Sequence, residues 1–211
     1  YVSSRNQNEI LSVSGAVYTI PDANRFEELL TQKFNAKPYW VQHREENINT
    51  SEFTQKFSFE DLPFQITNSQ KYLELPQSLD EGYYLIELSS NDATAQALLQ
   101  ISNTAAFINI SPAKSFVWLH DQINKEPLQG ATVQLVSSDT TLTTDENGFV
   151  ELDELPIEEY DYRNYTNGEN ILKVKRPDGF TTFYELISWS SYRENNAWTY
   201  FQTDRSTYLP T

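Results

Sequence analysis

The side chains able to do chemistry are few and scattered. Only two histidines occur, His43 and His120. Neither sits in an HxxxH, HxH or HxxE spacing, so neither joins the clusters that hold a metal or the pairs that move a proton; His120 reads as a strand-end imidazole. No cysteine is present, which removes disulfides, thiolate zinc sites and a thiol nucleophile. No GxSxG elbow occurs for a serine nucleophile. The six glycines, Gly15, Gly82, Gly130, Gly148, Gly168 and Gly179, are all isolated, so no phosphate-cradling loop can be built from them. The run "TDENGFVELDE" gathers Asp145, Asn147, Glu151 and Asp153 in the manner of a calcium loop. However, Phe149, Val150 and Leu152 fill it in strand alternation, where a calcium loop needs ligands at alternate positions and a closing bidentate Glu. A tight turn between two strands is the expectation. The chain therefore reads as non-catalytic, with no cofactor and no metal.

Two polar stretches are unusually aromatic, "EEYDYRNYTNGEN" and "SWSSYRENNAWTYF". Exposed Tyr and Trp faces can stack on sugar rings as they do on other rings and cations. The same side chains can equally cover a sheet edge or meet a neighbouring domain. Tyr162, Tyr165, Trp189, Tyr192 and Trp198 are thus the candidate ligand or interdomain surface.

Strands must position nearly all of these residues. With 211 residues, 13 Tyr, 12 Phe and 4 Trp, the chain can bury a sizeable core, and half-buried aromatics suit pleated surfaces. A formal net charge of −15 makes nucleic acid and anionic lipid poor partners. No run of about 18 apolar residues is present to span a bilayer as a helix.

"EILSVSGAVYTI" alternates as a strand and stops at Pro21. Phe26, Leu29, Leu30 and Phe34 then fall on one helical stripe, with Asp22 as N-cap, predicting a helix over about 22–34. "EFTQKFSFE" and "KYLELP" are short strand signals, and "GYYLIELSS" with "ATAQALLQIS" reads as a hairpin. A boundary is expected near 102–106. Beyond it "SFVWLHD", "ATVQLVSS", "TTLTTD", "FVELDEL", "ILKVKR" and "FTTFYELIS" follow at sandwich spacing, the last two joined by a "PDG" turn.

Two further stretches carry a family resemblance. "SFVWLHDQINKEPLQGATVQLVSSDTTLTTDENGFVEL" (115–152) resembles a macroglobulin-type pattern, through Val117-Trp118, Asp121, Lys125, Pro127, Gly130-Ala131 and Thr144-Asp145 to Gly148. "YFQTDRSTYLPT" resembles the junction where the next macroglobulin domain begins in alpha-2-macroglobulin proteins, with Thr203-Asp204-Arg205, Tyr208 and Pro210 matching; Thr211 stands where the family has Gly. "LDEGYYLIELSSNDATAQALLQIS" is similar to the hairpin closing an upstream domain in bacterial members. Together these cover about half the chain.

The resemblance implies a mostly β chain of two consecutive immunoglobulin-like or macroglobulin-type β-sandwich domains, 1–104 with one accessory helix and 105–200 without, then 201–211 as the start of a following domain. Each half is expected to fold alone. Since Tyr1 is not Met, the chain reads as a piece of a longer protein. The implied function is non-catalytic scaffolding within the N-terminal part of a secreted or envelope-anchored protease-trapping protein. Its partners would be the remaining domains of its own parent chain and, indirectly, target proteases. The rival expectation is a cell-surface adhesin or carbohydrate-binding module.

Overall fold

The computed structural model describes residues 12–35, 47–67, 70–90, 93–109, 114–152 and 171–186. The first half is built on a four-stranded antiparallel sheet in the order β2-β1-β5-β6, from β1 (Ser12–Ile20), β2 (Thr54–Pro63), β5 (Gly82–Ser90) and β6 (Ala93–Ile101). A small hairpin, β3 (Gln65–Thr67) and β4 (Gln70–Tyr72), lies beside it. The chain leaves β1 at Pro21 and enters α1 (Ala23–Asn35) through Asp22. The Asp22 carboxylate accepts from Arg25 N–H at 2.9 Å and its carbonyl from Phe26 N–H at 3.1 Å, satisfying helix-end groups that would otherwise lack partners.

The pleat sends alternate residues to opposite faces. Ile20, Tyr83 and Leu85 meet Phe26 and Leu29 of α1 on one face, while Val13, Val17, Phe57, Phe59 and Tyr84 pack on the other with Leu73, Leu75 and Leu79 of the extended segment after β4. Gly15 is required at the sheet centre. A Cβ there would stand 2.3 Å from the Glu87 carbonyl oxygen and 2.9 Å from the Phe59 ring.

The second half is a sandwich. One sheet runs β11-β10-β13-β14, from β10 (Thr132–Leu135), β11 (Thr141–Thr143), β13 (Ile171–Lys175) and β14 (Thr181–Glu185). The other runs β12-β8-β7, from β7 (Thr104–Asn109), β8 (Ser115–Asp121) and β12 (Phe149–Leu152), with the two-residue β9 (Glu126–Pro127) on the end of β8. Their inner residues, including Val117, Leu119, Val133, Val150, Leu172 and Val174, form one buried core. No described strand pairing joins residues before Ser102 to residues after it.

The turn Asp145–Gly148 departs from a simple hairpin, because β11 and β12 belong to different sheets. Gly148, at φ 72, closes the turn by donating to Asp145 carbonyl at 3.0 Å, and its own carbonyl accepts from Leu119 N–H at 2.8 Å, which commits the next residues to β8. On the near side Thr144 is locked to the connection between β9 and β10: its hydroxyl donates to Leu128 carbonyl at 2.6 Å and accepts from Ala131 N–H at 3.0 Å. The result is a corner that carries the chain between layers.

Candidate functional site

Residues far apart in sequence converge where the two halves meet. Tyr83 of β5 lies between the rings of Phe26, 4.9 Å away, and Phe180, 5.3 Å away at an interplanar angle of 4°. Phe183 of β14 closes the group at 5.6 Å from Phe26. Ile20, Leu29, Leu85 and Ile171 complete a buried apolar cluster shared by both halves.

Polar contacts surround this cluster. Arg176 donates one bond to each oxygen of Glu81, both at 2.8 Å, while Asp178 takes two more and the guanidinium lies 5.1 Å over the Phe180 ring. Glu81 also accepts from Asn103 N–H at 2.8 Å, so one carboxylate ties the connecting residues to both halves. Lys173 pairs with Glu27 of α1 at 2.6 Å. The bidentate, largely enclosed Arg176–Glu81 pair fixes geometry more than it adds net stability.

Gln100 of β6 acts as a short piece of backbone. Its side-chain oxygen accepts from Phe183 N–H at 3.0 Å and its nitrogen donates to Phe183 carbonyl, capping the outer edge of β14. Gln96 does the same to Ile48, accepting at 2.6 Å and donating at 2.9 Å. Gln100→Leu leaves two partly buried main-chain groups unpaired and is expected to cost about 2 kcal/mol, read as a lower melting temperature. An unchanged melt would show that the amide does not hold the joint.

Ionisation at the joint has a clear sign at each end of the pH scale. Arg176 holds the Asp178 carboxyl below its ordinary value through their hydrogen bond. That contribution is present above the unfolded value, about 3.9, and is lost as pH falls through the folded one. Burial pushes the Tyr83 phenol up to about 12, and that hydroxyl donates to Thr181 carbonyl across the joint. Its contribution is complete below about pH 10 and disappears as pH rises towards the folded value. The near-ultraviolet circular dichroism of the joint should therefore decay from about pH 10 to 12, and less so in Tyr83→Phe. Identical profiles would place the alkaline lability elsewhere.

Of the residues singled out in the sequence, Tyr162, Tyr165, Trp189, Tyr192 and Trp198 lie outside the described residues, as do His43 and Asp153. The structure places His120 on β8, its ring edge-on to Trp118 at 4.6 Å, with Nε2 buried and unpartnered among the described residues. Asp145 spends Oδ1 on the N–H groups of Asn147 and Phe149, both at 2.9 Å, and Glu151 pairs with Lys114. Among the described residues no group of three His, Asp or Glu side chains is placed to hold a metal. Millimolar calcium should leave the melting temperature unchanged; a rise of several degrees would reassign the Asp145 turn.

An aromatic row escaped the sequence reading. Phe107, Phe116, Trp118 and Phe149 share the outer face of the β12-β8-β7 sheet, with Phe107 52% and Trp118 45% exposed. The available signal was the aromatic character of alternate positions in "FVWLH", where an outward face is ordinarily polar.

No protein-family model and no curated protein matches the sequence. Among the described residues no helix is long and apolar enough to cross a membrane. Two solved structures share the fold. A crystal structure of native alpha-2-macroglobulin from Escherichia coli spanning domains MG0-NIE-MG1 superposes with a TM-score of 0.55 at 15% identity, covering 85% of this chain and 56% of that one. A fragment of the same protein spanning NIE-MG1 gives 0.57 at 15% identity, covering 84% of this chain and 85% of that one. The chain thus spans little more than half of the longer fragment and most of the shorter. Among the described residues the fold is mostly β with one α-helix, as in those macroglobulin-type domains, and the match falls on the family that residues 82–152 and 199–211 resemble.

Proposed function

We propose that this chain is a non-catalytic scaffold within an alpha-2-macroglobulin-like protease-trapping protein of the cell envelope or extracellular space. Its two domains are taken as 1–104 and 105–200, standing in the order of the NIE and MG1 domains of the Escherichia coli fragment. The observation that carries the reading is the joint: an aromatic cluster shared by both halves and bounded by Arg176–Glu81, Lys173–Glu27 and the Gln100 clamp. A joint so enclosed holds two domains at one angle, which is what the remaining domains of the parent chain need from a scaffold. Target proteases are met indirectly, through the parent molecule.

The absence of native cysteine makes the test direct. Spin labels on Glu60→Cys and Thr141→Cys, exposed positions in β2 and β11, should give one narrow distance distribution. A broad distribution would sink the scaffold reading. The carbohydrate-binding alternative has one observation in its favour, the exposed Phe107 and Trp118 rings. Glycan-array binding lost in Trp118→Ala would favour it.

A further inference from the structure

The outer face of the β12-β8-β7 sheet turns aromatic rings to solvent, where an exposed sheet face is ordinarily polar. Phe107, Trp118 and Phe149 lie opposite one another across the three strands, and Phe116 sits in the next row between Asn109 and Glu151. Trp118 is held in place: its Nε1–H donates to Asn147 carbonyl at 2.8 Å, and its ring meets that of His120 edge-on at 4.6 Å. The rings of Phe107 and Phe149 lean on Phe116 at 5.9 and 5.3 Å, each tilted by 34°. The surface is therefore uneven, which suits the side chains of another polypeptide better than the flat face of a polysaccharide. Phe107 is 52% and Trp118 45% exposed, and among the described residues no cation lies over either ring.

Charge selects the partner. None of the three strands contains a Lys or Arg. Glu151 stands on the face itself, paired with Lys114, and the turn that holds Trp118 carries Asp145 and Glu146, both exposed. An aromatic ring presents the negative part of its quadrupole on its face, so rings bordered by carboxylates favour a cation. A guanidinium fits better than an ammonium, because it stacks on a ring while its N–H groups still reach carboxylates. The protein uses this arrangement at its joint, where Arg176 lies 5.1 Å over Phe180 and donates to both oxygens of Glu81. The net charge of −15 repels an acidic segment, and a second copy of this chain for the same reason, while drawing a basic one. We propose that the Phe107–Trp118 face is a docking surface for an arginine-bearing, net basic segment of another polypeptide, its guanidinium groups stacked on the two exposed rings and turned towards the bordering carboxylates. This surface contains none of the joint residues and does not depend on the scaffold reading.

The probe is a displayed library of random peptides selected on the whole chain, followed by one enriched peptide synthesised with Arg, with Lys and with neutral citrulline at its Arg positions. Enriched peptides should be rich in Arg and carry net positive charge. The Arg form should bind most tightly and the citrulline form at least about tenfold more weakly, and raised salt should weaken the Arg form. Phe107→Ser and Trp118→Ala should each weaken it by about tenfold, with circular dichroism showing that both variants remain folded. Glu146→Gln and Glu151→Gln keep every ring and should reduce the salt dependence. Enrichment of acidic or uncharged peptides, equal affinity for the Arg and citrulline forms, or binding that survives both ring variants would overturn the proposal. So would glycan-array binding lost in the same two variants, which would assign the face to a carbohydrate, or concentration-dependent dimers abolished by Phe107→Ser, which would make the occupant a second copy. A library from which no peptide is enriched has the same consequence.

Discussion

Gly148→Val is expected to destabilise the protein by about 3 kcal/mol or more, a fall of about 10 °C in melting temperature. Two costs add. A β-branched residue is strained at φ 72, a conformation glycine adopts freely. The second cost is steric: a Cβ at this position would stand 2.3 Å from Leu119 carbonyl oxygen and 2.9 Å from Leu128 nitrogen. Both are main chain, so relief requires moving β8 or the segment after β9 and breaks the Leu119–Gly148 and Leu128–Leu119 hydrogen bonds, 2.8 and 2.9 Å. Gly130 separates the two costs, since its φ is 74 but its nearest Cβ neighbour is Pro177 at 3.8 Å. Gly130→Ala should therefore cost about 1 kcal/mol and Gly148→Ala clearly more. Equal effects would mean that conformation alone matters and that the main chain at the corner yields to a Cβ; no effect from Gly148→Val would remove the corner altogether.

Much of the first half was legible because its signals are local. Asp22 before a helical stripe, Pro21 after an alternating strand and the Gly82–Ile101 hairpin each act within a few residues. The same holds for β8 and for the β13–β14 hairpin, whose turn Gly179 makes at φ 96. The Asp145–Gly148 turn was visible as a turn, but not as a passage between sheets, because that depends on Leu119 and Leu128, distant in sequence. The joint was the least legible feature. Phe26, Tyr83, Phe180 and Phe183 look like ordinary core residues of separate strands and a helix, and nothing near them encodes their meeting. Gln96 and Gln100 sit in a strand with no local signal of their partners, and only the fold shows them pairing with the main chain of Ile48 and Phe183. The aromatic candidates near 162–165 and 189–198 rest on loop composition, which carries no register, so they remain expectations on residues outside those described.

Phe183→Ala is the variant that most directly tests what the joint does. Phe183 is buried in the shared cluster, with its ring 5.6 Å from Phe26 and 6.4 Å from Tyr83. Truncation removes a large apolar side chain and leaves a cavity between α1 and β14, at a cost of about 3–5 kcal/mol. Its main-chain bonds to Gln100 do not involve the side chain and remain available, so the loss reports packing across the joint. The position of that loss matters more than its size. If the cluster couples two domains that each keep their own core, the intact chain should melt in one transition and Phe183→Ala should resolve two, with the helix signal of α1 lost alongside the first half. The spin-label distance between Glu60→Cys and Thr141→Cys should broaden in the same variant before either half unfolds. A single lowered transition with an unchanged, narrow distance would mean that Phe183 supports only its own sheet. The rigidity of the joint would then have to come from Arg176, Glu81 and Gln100, and Arg176→Met would become the decisive variant.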